Sequence, residues 1–233
     1  MTVPRNPRVS AVPMASDTSE ILPDEASLAL AYTGSNLRDA LTIFFEFDAR
    51  LARIVAATTE PMLGQMRLAW WRDTLGQPAS ERPQGDQVLD AVGEHWLGAE
   101  DALIAVVDGW EQMLSEPPLK RDAAEAFAEG RAEGLAGLAR LINSPETVAG
   151  AVKEAGRTWA IADAVSHVSA GEERDTLLEL GRGLPAVPKL PSPFRGVAVL
   201  AALGKRALDA GGAPLMDGRG AALVALRAGL LGR

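Results

Sequence analysis

There is no cysteine in the 233-residue sequence, and only one tyrosine and two histidines. Without thiols there are no disulfides, thiolate zinc sites or cysteine nucleophiles, as suits a reducing compartment. Two histidines are too few for a histidine-rich metal centre. No stretch of ~20 uncharged apolar residues occurs, so no membrane-spanning helix is predicted. Near the start, Pro13 interrupts the short apolar stretch of Ala11, Val12 and Met14, and no secretory h-region follows. Basic residues are outnumbered 23 to 31, for a net charge of −8. That balance argues against a generic electrostatic grip on nucleic acid, which needs clustered Lys and Arg.

What is present is an ordinary globular balance, with 47% apolar and 23% charged residues. It excludes a largely disordered chain. The length suits one sizeable core and is short for two full domains. Abundant Ala, Leu and Gly with little Tyr favour helices over sheets. The first twenty residues are rich in Pro, Ser and Thr and predict a mobile tail. The remainder, 21–233, is expected to form one domain.

Apolar residues recur at helical spacing from there on. Leu37, Leu41, Phe44, Phe47 or Asp48, Leu51 and Val55 mark one stripe of a helix over 35–58, with Ser35 or Asn36 as N-cap. Glu60-Pro61 opens the next helix, because a first-turn proline loses no hydrogen bond. A loop over 76–85 precedes helices over 88–97 and 99–114, and Pro117-Pro118 closes that pair. Asp122 is placed to cap a long helix to about Ile142. Within it Ala126, Gly130, Gly134 and Gly137 would let a neighbouring helix approach closely. Ser144-Pro145-Glu146 starts another, reaching about Val168, with Ser144 as cap. A short helical pattern over 171–183 leads into the connector punctuated by Pro185, Pro188, Pro191 and Pro193. Two final helices, over 194–210 and 220–231, are expected to form a lid or end cap. No internal repeat and no useful period-two alternation appears. The prediction is an all-α, single-domain helical bundle.

Two segments carry a family likeness. The stretch from Ala40 to Ala56, followed by Glu60-Pro61, Leu63-Gly64, Arg67-Leu68 and Trp70-Trp71-Arg72-Asp73, resembles the squalene/phytoene synthase family of head-to-head prenyl transferases. Gly156 to Asp163, followed by Leu184-Pro185, is a weaker match. The resemblance extends from about Ala31 to Pro193. It is closest to a divergent branch that includes a mitochondrial complex I assembly factor and its bacterial relatives. It implies a bundle of the isoprenoid-synthase type; the short C-terminal helical pair, expected from its apolar spacing, lies beyond it.

Active members of that family ionise a prenyl diphosphate. Magnesium ions bridge its oxygens to Asp-rich clusters on two facing helices, and an apolar tunnel shields the cation. Here the three acids that the resemblance implies for the first motif align with Ala52, Arg53 and Ala56, and Asp48 lies one turn earlier. The second motif falls on Asp163, Ser166 and His167, where its acidic pair is missing. A diphosphate carries about −3 charge, and one carboxylate per helix is a poor home for a magnesium cluster. Arg53 could pair a phosphate directly without replacing the cluster's neutralisation.

The expectation is therefore a non-catalytic protein with no resident metal or cofactor. It would assist assembly of a membrane respiratory complex or bind a prenyl or other lipid-like ligand, with no nucleic-acid partner. Its expected setting is the cytoplasm or the inner face of a membrane. The alternative is an active magnesium-dependent prenyl transferase of isoprenoid biosynthesis.

Asp48, Arg53, Asp163, His167, Phe44, Phe47 and Leu51 are the candidate remnant pocket. Asp48 and Asp163 either face each other as a ligand-binding pair or are helix polar residues bridged to Arg50, Arg53 or Arg157. His167 reads as a polar helix terminus. Arg67, Trp70, Trp71, Arg72 and Asp73 are the family-signature or partner surface. Consecutive tryptophans on a helix point about 100° apart, so one belongs to the core and the other to the surface.

Overall fold

The computed structural model describes residues 22–233, so the tail expected at 1–20 lies outside them. Among the described residues there are ten α-helices and no strand, as the apolar spacing predicts. They are α1 (Asp24–Tyr32), α2 (Arg38–Ala56), α3 (Pro61–Leu75), α4 (Gln87–His95), α5 (Glu100–Gln112), α6 (Arg121–Leu141), α7 (Glu146–His167), α8 (Glu172–Arg182), α9 (Arg195–Asp209) and α10 (Gly220–Leu231).

Most helix ends fall near their expected places, but the caps differ. Leu37, Lys120 and Pro145 occupy the N-cap positions where Ser35 or Asn36, Asp122 and Ser144 were expected. Asp122 sits instead in the first turn of α6, where a carboxylate favours the positive end of the helix dipole. Pro145 holds an extended backbone, with φ −56° and ψ 149°, so α7 begins one residue later. The side-chain cap that does form is Asp86 on α4, which accepts from the Val88 and Leu89 amides at 3.0 Å. Arg50 also pairs with Asp86, at 3.0 Å.

The long helix α6 lies between α5 and α7, and α9 packs on α7. Gly130 explains the closeness of α5 and α6. A Cβ built there would stand 2.3 Å from the Ala105 carbonyl oxygen and 2.9 Å from Gly109 Cα. Farther along, Gly134 receives Phe44 of α2, and Gly137 receives Trp96. The Trp96 indole also donates to the Ala40 carbonyl at 3.0 Å. These contacts seat α2 across α6 and point Phe44, Phe47, Asp48 and Leu51 inward.

The last two helices do not form a lid together. α9 is a core element against α7 and α1, with Val199 and Leu200 fully buried. Its alternation of small and branched apolar residues suits a helix covered on most sides. Only α10 lies outside, on α9. No described helix is long and apolar enough to cross a membrane.

Candidate functional site

Three helices each deliver one charge to the same interior point. Asp48 of α2 is 6% exposed and Arg131 of α6 is 3% exposed. Arg131 Nε donates to Asp48 Oδ1 at 3.1 Å and Nη2 donates to Asp48 Oδ2 at 2.6 Å. Its remaining arm, Nη1, donates to Asp163 Oδ2 of α7 at 2.8 Å. The Trp110 indole adds a third donor to Asp48, at 2.7 Å to Oδ1. The guanidinium carbon lies 3.9 Å from the centroid of the Trp159 ring, and the rings of Phe127 and Trp110 stand nearby. The cation is thus bonded around its edge and faced by aromatic rings, the arrangement that lowers the cost of burying it.

The electrostatics are internally balanced. Burial alone would pull the Arg131 pKa down, but Asp48 and Asp163 hold it above its ordinary value. Glu25 of α1 stands at the same corner. Its carboxyl is pushed above the usual range, first by burial and further by Asp163, with a backbone hydrogen bond and His167 opposing. His167 is the last residue of α7 and its side chain is 76% exposed. Its Nδ1 lies 2.8 Å from the Asp163 carbonyl oxygen and 3.5 Å from Oδ1, which is the polar helix terminus expected of it.

The expected residues divide into two groups. Asp48 and Asp163 do converge, but through Arg131. Arg50 is engaged by Asp86, and Arg157 by Glu129 and Glu154. Arg53 and Ala56 lie on the exposed side of α2, away from that point. Phe44, Phe47 and Leu51 have no surface open to water, so they fill the core instead of lining a pocket. Phe47 meets Trp71 edge to face at 5.3 Å, and Phe44 lies 6.0 Å from Trp159.

The signature on α3 splits as its helical geometry requires. Trp71 is 3% exposed and Trp70 is 44% exposed, with the two rings edge to face. Arg67 and Asp73 are exposed. Arg72 bridges to α5, pairing with Asp108 at 2.6 Å and with Glu111. Burial lowers the Arg72 pKa, but these two partners raise it above its ordinary value. Met62, Leu63 and Met66 join Trp70 as exposed apolar residues of this helix.

The magnesium cluster implied by the family resemblance does not fit these donors. Both Asp48 oxygens are taken by N–H donors, and Asp163 Oδ2 is taken by Arg131. A divalent ion 4 Å from a guanidinium would be repelled by about 8 kcal/mol at an effective dielectric constant of 20. No group of three or more His, Asp or Glu among the described residues is placed to hold a metal ion.

Sequence reasoning missed Arg131, Trp110, Trp159 and Glu25. Arg131 did leave a trace: it interrupts the buried stripe of Phe127, Leu135 and Leu138 as a lone charge at helical spacing. A charge on a buried face demands a counter-charge, and Asp48 and Asp163 were available. No family model, curated protein or solved structure matches the chain.

Proposed function

We propose that this chain is a non-catalytic helical protein on a scaffold resembling the squalene/phytoene synthases, and that it acts by holding a partner protein. The setting we propose is assembly of a membrane respiratory complex. The observation that carries the non-catalytic half is Arg131. Its guanidinium is bonded to Asp48 and to Asp163, the one acid left at the motif positions that the resemblance implies. A cation fixed in the bundle neutralises the acids without an exchangeable site for a metal–diphosphate complex.

The partner half rests on α3. Met62 is 71% exposed, Met66 65% and Trp70 44%, at i, i+4 and i+8 on one face, with Leu63 beside them. Met and Trp are the side chains that adapt to and anchor a protein surface. Arg67 and Asp73 supply a polar rim of both signs. A photo-cross-linker at position 66, activated in the native host, tests this reading. Adducts with membrane-complex subunits are expected, and adducts with only unrelated soluble proteins would overturn it.

A further inference from the structure

The C-terminal helix α10 is built inside out. It buries Ala221, Ala225, Ala228 and Gly229 and exposes its leucines: Leu223 70%, Leu226 46%, Leu230 58% and Leu231 49%. The inversion has a packing cause. A Cβ on Gly229 would stand 2.2 Å from the Tyr32 ring, so only small residues let α10 lie this close to its neighbours. Placing alanine and glycine inside turns the large apolar side chains out. A contiguous leucine face exceeds the scattered surface apolar residues of an ordinary protein, and marks an interaction surface.

The charge around the face selects what covers it. Along α10 and its flanks the chain carries Arg219, Arg227 and Arg233, in a protein whose net charge is −8. No acid occurs from Gly218 to Arg233. Arg227 is exposed within the leucine stripe, and Arg219 is exposed at the helix start. Exposed Lys189 is brought to the other end, where the Leu190 amide donates to the Gly232 carbonyl at 2.8 Å. A second copy of this chain would meet the face with the same leucines and the same positive charges. A two-fold axis would therefore set like charges against each other. An anionic bilayer supplies both an apolar interior for the leucines and negative headgroups for the arginines and lysine. At 1.5 Å per residue the helix is ~18 Å long, short of the ~30 Å hydrocarbon core, so it would lie in the interface without crossing it.

We infer that α10 is an interfacial membrane-docking helix that seats Leu223, Leu226, Leu230 and Leu231 in the headgroup–acyl boundary of an anionic bilayer. The inference rests on neither the family resemblance nor the α3 surface. The test is co-sedimentation of the full chain with phosphatidylcholine vesicles, with and without phosphatidylglycerol. Binding is expected only to the phosphatidylglycerol vesicles, and raised salt should weaken it. L226S/L230S should lose binding by about tenfold or more, and R219Q/R227Q should lose the preference for the anionic lipid. Both pairs are on the surface, so unchanged circular dichroism and melting temperature should accompany the losses. No binding to anionic vesicles, or equal binding by L226S/L230S, would overturn the inference. So would a dimer in light scattering that L226S/L230S converts to monomer, because that assigns the face to a second copy.

Discussion

Arg131 holds both carboxylate oxygens of Asp48 across the α2–α6 interface, at 3.1 Å from Nε and 2.6 Å from Nη2. Neither group is open to water, so each is the other's main solvation. Removing Arg131 leaves Asp48 as a buried charge without a counter-ion and strips the half-buried Asp163 of its arginine partner. Arg131→Met should therefore cost about 3–5 kcal/mol in chemical denaturation. Adding Asp48→Asn should recover part of that loss, because one uncompensated charge disappears while the Trp110 indole keeps an amide oxygen to bond. A loss below about 1 kcal/mol for the single variant would show that the triad does not hold the bundle together.

Adjacent tryptophans should behave as unlike residues. Trp71→Ala empties a packed site beside Phe47 and should cost about 3–5 kcal/mol. Trp70→Ala should cost about 1 kcal/mol or less, yet abolish cross-linking from position 66. Equal destabilisation by the two would contradict the division of α3 into a core face and a partner face.

Gly130→Ala tests the α5–α6 contact. The added methyl would meet the Ala105 carbonyl and the Gly109 backbone, neither of which is a flexible side-chain end. Pushing two backbones apart should cost about 1–3 kcal/mol, read as a lower denaturation midpoint with the helix content retained.

Glu25 gives a pH signature of one sign. Its carboxyl is raised above the ordinary 4.5 in the folded protein, chiefly by burial. Its stabilising contribution is then complete below 4.5 and is lost as pH rises through the folded value. Glu25→Gln should accordingly raise the melting temperature at neutral pH and make no difference in acid.

Glu129 gives the opposite sign. Burial would raise its pKa, but hydrogen bonds from Lys153 and Arg157 bring it below 4.5. That stability is present above 4.5 and lost as pH falls through the folded value. Glu129→Gln should lower the melting temperature at neutral pH and converge with wild type in acid.

Much of the fold was legible from local rules. Pro61 marked the start of α3, the proline run over 185–193 marked the connector, and the glycines of α6 marked its close neighbours. Those signals act within a few residues or along one helix face. The site was half legible. Asp48 and Asp163 were named, as a facing pair or as helix residues bridged to Arg50, Arg53 or Arg157, but Arg131 comes from a third helix, separated from Asp48 by 83 positions. Its pairing depends on how α6 is rotated against α2 and α7, which no single-helix pattern specifies. The caps were misplaced for a related reason. Ser144 has the right chemistry, but the extended Pro145 sets where α7 begins. The inside-out character of α10 was equally hidden, since a helix of Ala and Leu gives no sign of which residue type its neighbours leave room for.

Arg131 occupies the charge site between Asp48 and Asp163. Titration of the wild-type protein with magnesium and farnesyl diphosphate, followed for both heat and product, tests that occupancy most directly. No saturable magnesium-dependent binding and no turnover are expected. Magnesium-dependent turnover of the diphosphate would contradict it.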